Sequence, residues 1–445
     1  MKLINQIKKI ENQQLFLLNK VKLYNQSLKK RKIDHQLSNF SFFSSYGETV
    51  GKLYLDYWLK KISFFKIIFF YIKNILAISS IHNYYFTNFK KKSFKNLIVT
   101  WGSKKDFDKE NFTDSFLDYK SSKLRNFLIV VIYLDDVLPA KIPFNVTIYK
   151  KKNNSRSYYF LIQVLFTTFV NFFSINRNLF HSISYNNIYS EKFLKNFINF
   201  VKVKKINRLI MPYEGQFFQN YIFHKIKFFF SSYNIGVSHS MLPAFPINFL
   251  FKKVGSPDKL YVSGNSQKKV LTNFFGWKPD KIKVSFSLRI KKDKKKNNQK
   301  NKIFLPINLS ASKFVFNKFK NYYMKLDKKV FFEINNHPRA SKSYKHLKLI
   351  KKINNLINHK AFSKEGKFDN LIFIGCTSAF VEYLQLDRSV FHISDKPAIE
   401  CYTNKMWKNI NLYEIENGIY RYNLSSDLIK LGNKNFSLLN LIKIS

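Results

Sequence analysis

The chain has 445 residues, with 77 Lys and Arg against 27 Asp and Glu, a formal net charge of +50. Its 45% apolar and 18% aromatic content excludes a disordered polyelectrolyte, and its length accommodates two or three packed domains. Two cysteines, Cys376 and Cys401, exclude a disulfide framework or a zinc ribbon and fit a reducing compartment. The abundant Lys, Asn, Ile, Phe and Tyr all have A/T-rich codons, so the charge does not by itself identify an anionic partner.

Residues 1–90 read as a helical N-terminal region. Met1 to Lys9 leads into charged helical sequence with no signal-peptide pattern, so the expected location is the cytoplasm. Within this region 63–81 is almost continuously apolar, but Lys66 and Lys73 fall seven apart on one helical face, which makes an amphipathic stripe rather than a span, either of an ordinary domain helix or of a membrane-surface helix. Strand-like runs follow at 96–100 (NLIVT) and 127–134 (FLIVVIYL), each ending in small or acidic residues as buried parallel strands do. The uncharged run 157–176 approaches the length of a bilayer crossing. Gln163, Thr167, Thr168 and Asn171 interrupt it, and it reads as a buried or half-inserted helix.

The alternation continues with strands at 206–211, 235–238, 259–263 and 283–286 and a helix over 216–231. The run KKDKKKNNQKNK at 291–302 has no apolar anchor and reads as an exposed basic linker. Beyond it come a strand at 303–309, a helix at 312–326, a strand at 330–335 and a helix at 344–358. A strand at 370–374, a helix at 379–386 and a strand at 389–393 complete the pattern. The expected class is α/β, with parallel-sheet domains over 91–290 and 303–445. Neither GxGxxG nor GxxxxGK[ST] occurs, so NAD-type and P-loop sites are not supported.

Ligands of open parallel sheets bind beyond the carboxyl ends of the strands, which selects the candidate site residues. In the first domain these are Trp101, Gly102 and Ser103, then Asp135 and Asp136, then Glu214 and Gly215, then His239. In the second they are His337, Pro338 and Arg339, then Thr377 and Ser378 with Glu382 one turn later, and Asp395. Glu214 could deprotonate an acceptor hydroxyl or simply favour a helix N-terminus. Thr377 and Ser378 could hold a phosphate at a helix end or only cap it, and His337 and Arg339 could add contacts to the same phosphate.

The segments MPYEGQFFQNYIFHKIK, IGVSHS, NNHPR and CTSAFVEYLQLDRSVFHIS, with the stretch from Pro257 to Arg289, together resemble bacterial GT-B glycosyltransferase-like proteins of surface carbohydrate biosynthesis over roughly residues 96–400. The resemblance implies two Rossmann-like domains facing a cleft, the C-terminal one for a nucleotide sugar and the N-terminal one for the acceptor. The His-Pro and Thr-Ser turns also resemble motifs of GT-B sialyltransferases, which implies a CMP-linked donor with His337 and Pro338 near the cytidylate and Thr377 and Ser378 near its phosphate. Those enzymes carry an acidic-acidic-Gly motif where this chain has Tyr213-Glu214-Gly215. The first acid is therefore missing, and Asp106, Asp135 or Asp136 stand beside Glu214 as alternative bases.

The expected function is transfer of a sugar from a nucleotide-activated donor to a surface polysaccharide or lipid-linked glycan. No metal and no cofactor beyond the donor is expected, with Glu214 and His337 catalytic and the basic, aromatic surface held against an anionic inner leaflet. Two alternatives are a nucleic-acid-binding protein, for which no recognition motif is present, and a GT-B-like assembly factor without catalysis.

Overall fold

The computed structural model describes residues 2–30, 50–77, 83–87, 94–108, 110–152, 162, 185–202, 205–252, 254–288, 301–306, 309, 311–326, 332–336, 343–358, 371–432 and 437–444. The basic linker 291–300, the turn His337-Pro338-Arg339 and nearly all of the apolar run 157–176 lie outside the described residues.

The strands, in chain order, are β1 (Tyr84–Thr87), β2 (Asn96–Gly102), β3 (Phe107–Asp108), β4 (Asn111–Asp114), β5 (Tyr119–Lys120), β6 (Phe127–Tyr133), β7 (Val146–Lys151), β8 (Arg208–Pro212), β9 (Tyr233–Val237), β10 (Lys259–Val262) and β11 (Ile282–Val284). They continue as β12 (Lys302–Phe304), β13 (Glu333–Asn335), β14 (Leu371–Ile374), β15 (Val390–Ile393), β16 (Ile410–Glu416) and β17 (Ile419–Leu424). The first sheet has the order β1-β7-β6-β2-β8-β9-β10-β11. All its pairings are parallel except that of β1 with β7. Its first parallel strand, β2, is central. β6 and β7 step outward on one side and β8 to β11 on the other, so strand order reverses between β2 and β8. Such a reversal is where open α/β sheets place a ligand crevice, at the carboxyl ends of the two strands.

The second sheet runs β13-β12-β14-β15-β17-β16, with parallel pairing from β13 to β15 and antiparallel pairing beyond. Its order reverses between β12 and β14. Two doubly wound sheets in one chain meet the GT-B-like expectation of the sequence.

β6 is buried at every position, as a strand covered on both faces must be, and its run of Phe, Leu, Ile and Val records that. β16 alternates buried and exposed positions, the mark of an antiparallel strand near a sheet edge. β1 lies within the region read as wholly helical. Its partner β7 shields one edge while its own aromatic residues pack on the neighbouring helix, with Phe86 stacked on Phe200 at 4.0 Å.

One apolar core runs through both sheets, from Leu97, Val99 and Leu209 to Phe373, Phe380 and Trp407. Both chain ends join it across the domains. In the helix Lys2–Lys30, Gln14 donates to the Cys401 carbonyl at 2.7 Å and accepts from the Thr403 hydroxyl at 2.6 Å. Near the other end, the backbone N–H of Lys430 donates to the Ser263 carbonyl at 2.6 Å, and that of Ser287 donates to the Lys430 carbonyl at 2.8 Å. The helix Leu438–Ile444 then buries Leu438 and Leu441 in the core beneath the first sheet.

A Cβ on Gly264 would stand 1.7 Å from the Leu428 carbonyl oxygen. Gly264→Ala is expected to push the C-terminal crossing away and lower stability by about 1–3 kcal/mol, the usual cost of overpacking, measured by denaturant unfolding.

Candidate active site

The reversal point of the first sheet lies between the ends of β2 and β8. Trp101 and Gly102 do not follow β2 as expected but form its last two residues, and both are buried. A Cβ on Gly102 would meet Phe112 and Val131 at 2.8 Å, so this glycine admits neighbouring side chains rather than a ligand. Ser103 donates to the Asp106 carboxylate through its N–H and its hydroxyl, both at 2.8 Å, which closes a short turn. Asp135 and Asp136 are exposed beyond β6. The Asp135 carboxylate accepts the Lys104 N–H at 2.7 Å, and the Asp136 carbonyl accepts from the Lys150 ammonium. These residues brace loops on the β6 side of the reversal. Among the described residues, no group of three or more His, Cys, Asp or Glu is placed to hold a metal ion.

On the β8 side the chain builds a more restricted site. Tyr213, at the position where the resemblance expects an acid, is buried. Its hydroxyl donates to Asn220 at 2.7 Å and its ring packs edge-on against Phe249 at 5.5 Å. Burial holds the phenol well above its ordinary pKa, with a bond to Ser256 as a smaller opposing effect. Tyr213 is therefore a core residue and Glu214 is the acid that reaches the crevice.

Gly215 adopts a left-handed backbone, φ +66°, and a Cβ there would stand 2.4 Å from the Asn248 carbonyl oxygen, so only glycine fits. Gln219, one turn into the helix Phe217–Phe230, accepts the N–H groups of Glu214 and Gln216 at 3.0 Å and donates to the Pro212 carbonyl at 2.8 Å. That one amide fixes the whole turn.

Glu214 Oε1 lies 3.5 Å from His239 Nε2, and Gln216 donates to the other carboxylate oxygen. The Glu214 side chain is 20% exposed and that of His239 is 6% exposed, so the acid is the member of the pair that solvent reaches. Phe116 closes over the imidazole edge-on at 5.0 Å and contacts Trp101 at 5.4 Å. Phe116 is held by Asp114, whose carboxylate accepts the N–H groups of Phe116 and Leu117 at 2.7 and 3.0 Å. Burial pushes the Asp114 pKa up to about 6 against the lowering effect of its bonds to Thr100, Leu117, Phe116 and Tyr119.

The two domains meet beside this pair. After His239 the segment Met241 to Phe249 is buried. Its Leu242 carbonyl accepts from the Tyr402 hydroxyl and its Ala244 carbonyl accepts from Trp407 Nε1 at 2.8 Å. Tyr402 packs edge-on against Phe380 at 5.2 Å, in the helix Ala379–Leu384 that follows Thr377 and Ser378. Glu382, half-buried in the same helix, adds negative charge near Tyr402. Tyr402 thus links the segment that follows His239 to the helix that follows Thr377 and Ser378. Thr377 Oγ1 accepts the Ala379 N–H at 3.2 Å, so its hydroxyl caps the short helix.

Sequence reasoning selected Asp395 beyond the end of β15 but missed Lys52, Asp56 and Glu400, the charges that surround it. The helix Val50–Trp58, from the N-terminal region, carries Lys52 and Asp56 on one face into the second domain. Asp56 pairs with Lys396, and both Lys52 and Asp56 are buried. Burial works to lower the Lys52 pKa, but Cys376, Glu400, Asp56 and Asp395 outweigh it and raise the value. Burial pushes the Cys376 thiol up to about 11, against the pull of Lys52. Glu400 accepts from Ser394 at 2.6 Å, and its other oxygen would stand 3.6 Å from a Cβ on Gly375. His392 Nε2 donates to the Gly375 carbonyl at 2.8 Å while Nδ1 accepts from Tyr422, which suits a neutral ring; burial pushes its pKa down to about 4. The i, i+4 spacing of Lys52 and Asp56 was the only available signal, and such pairs are ordinary on helix surfaces.

The chain matches no protein-family model and no curated protein. Similar solved structures include UDP-GlcNAc 2-epimerase from Neisseria meningitidis bound to UDP-GlcNAc, at 9% identity and a TM-score of 0.36, covering 70% of this chain and 90% of that one. Another is α,α-trehalose 6-phosphate synthase from Burkholderia multivorans, at 7% identity and a TM-score of 0.35, covering 66% and 75%. A third is the apo lipopolysaccharide outer core galactosyltransferase WaaB, at 10% identity and a TM-score of 0.29, covering 67% and 80%. Scores this low carry no argument about activity, and the architecture rests on the strand orders above.

Lys52→Met leaves three carboxylates short of a buried cation and is expected to cost about 3–5 kcal/mol in denaturant unfolding, with Glu400→Gln in the same chain recovering about half. Asp114 is neutral in both states well below pH 3.8, and between that value and about 6 only the folded state keeps the proton, so stability falls as pH rises through this window. Asp114→Asn retains an acceptor for both N–H groups. Its stability relative to the parent is expected to grow from a few tenths of a kcal/mol near pH 4 to about 3 kcal/mol at pH 7, by denaturant titration at each pH.

Proposed function

We propose that the chain is a glycosyltransferase that moves a sugar from a nucleotide-activated donor to a glycan or lipid-linked acceptor. The observation that carries this reading is the Glu214–His239 pair, held at 3.5 Å where the strand order of the first sheet reverses and beside the interdomain junction. Glu214 takes the proton of an acceptor hydroxyl, whose oxygen attacks the anomeric carbon as the bond to the nucleotide phosphate oxygen breaks. His239 then shares the proton. On the facing domain the turn from Gly375 to Ser378 receives the donor, and the charge of Lys52 acts on Cys376 in that turn. That charge stabilises the departing phosphate without a metal ion. His337, Pro338 and Arg339 contact the nucleotide in this reading, and their resemblance to sialyltransferase motifs favours a CMP-linked donor and a surface-polysaccharide product. A lipid-linked acceptor sets the reaction at a membrane surface on the cytoplasmic side.

Thermal unfolding in the presence of CMP, CDP, UDP and GDP tests the donor half, since a ligand bound only to the folded state raises the midpoint. One nucleotide is expected to raise it, most strongly CMP or CDP. Glu214→Gln is expected to keep that shift while transfer falls by about 100-fold or more. No shift with any of the four overturns the reading.

A further inference from the structure

Among its described side chains, the helix Phe64–Ala77 buries one face and leaves another exposed. Ile67 is buried and Phe70 packs against the same core, whereas Phe65 is 81% exposed, Phe69 72% and Ile72 52%. Positions 65, 69 and 72 follow i, i+4, i+7 spacing and form a single apolar stripe turned away from the protein. Monomeric soluble surfaces rarely show adjacent aromatic rings this bare. Lys66 and Lys73 are exposed along the border of the stripe, Lys60 and Lys61 are exposed just before the helix, and no acid occurs between positions 59 and 73.

We propose that this stripe docks on the surface of an anionic lipid bilayer, the rings of Phe65 and Phe69 entering the headgroup boundary while the four lysines meet lipid phosphates. Fourteen residues at 1.5 Å each give about 21 Å, short of the roughly 30 Å hydrocarbon thickness, so the helix lies in the interface. Among the described residues, no helix is long and apolar enough to cross a membrane. A second copy of the chain is the less favourable occupant, because a symmetric contact brings the four lysines of each copy together with no acid from this segment to offset them. Anionic lipid supplies the complementary charge, and each nearby lysine strengthens such binding several-fold. The docking surface is independent of the chemistry proposed for the crevice.

Cosedimentation of the full chain with phosphatidylcholine vesicles, with and without phosphatidylglycerol, tests the proposal. Binding is expected to be at least about tenfold tighter with phosphatidylglycerol and to weaken as salt rises. The double variant Phe65→Ser, Phe69→Ser keeps the net charge and is expected to lose about tenfold or more in vesicle binding with an unchanged unfolding midpoint. Lys66→Gln with Lys73→Gln is expected to lose binding and to flatten its salt dependence. Equal binding by the double Phe variant overturns the proposal in favour of diffuse attraction by the +50 charge. A solution dimer that the Phe variant dissociates, or no binding to either vesicle, overturns it as well.

Discussion

The junction between the two sheets depends on a short buried segment, Met241 to Phe249, whose carbonyls at Leu242 and Ala244 are met by Tyr402 and Trp407 of the other domain. A carbonyl buried without a partner costs about 1–3 kcal/mol, so the two donors hold this segment in one place. The same segment positions the acid. Asn248 donates to the Glu214 carbonyl at 3.4 Å, and its own carbonyl is what excludes a side chain at Gly215. His239 lies two residues before the segment. Movement of one domain against the other is thereby coupled to the geometry around Glu214 through covalent neighbours and buried hydrogen bonds.

The second domain solves a different problem at its strand ends. Asp395 and Glu400 stand near the carboxyl ends of β14 and β15, and Asp56 is brought there by an N-terminal helix. Buried carboxylates persist only when opposite charge or hydrogen bonds compensate their desolvation, and Lys52 and Lys396 supply that charge. The N-terminal helices are therefore part of the second domain's electrostatic structure, although the chain places them before the first. In the opposite sense, the C-terminal crossing through Lys430 and the helix Leu438–Ile444 close against the first sheet. Each end of the chain ties the two sheets together.

Aromatic residues have two roles that composition does not separate. Most of the described rings fill the shared core, as do Phe380, Tyr402 and Trp407 at the junction. A few remain bare, and those on the helix Phe64–Ala77 are grouped into one stripe among lysines. A codon bias toward Phe and Lys can supply both residue types. It does not gather bare rings into one stripe bordered by lysines on one helix.

Local sequence determined much of the architecture. The apolar runs at β2, β6, β8, β9, β10, β14 and β15 were legible because a strand buried on both faces carries few polar positions to blur it. The helices Phe217–Phe230, Ser312–Met324 and Tyr344–Asn358 were legible from their periodicity. Glu214 and His239 could be selected as strand-end residues, but their approach to 3.5 Å could not, since twenty-five positions separate them and β8 and β9 must pair first. The fates of Tyr213, Trp101 and Gly102 were likewise set by tertiary packing, which buries a tyrosine where an acid was expected and ends β2 two residues later than its apolar run suggested. Lys52 shows the same limit most clearly: its i, i+4 neighbour Asp56 is an ordinary helix pair, and the other two carboxylates that make its burial tolerable, Asp395 and Glu400, lie more than three hundred residues away. Periodicity records which faces must leave water. Only the closed fold decides which charges are left to meet one another.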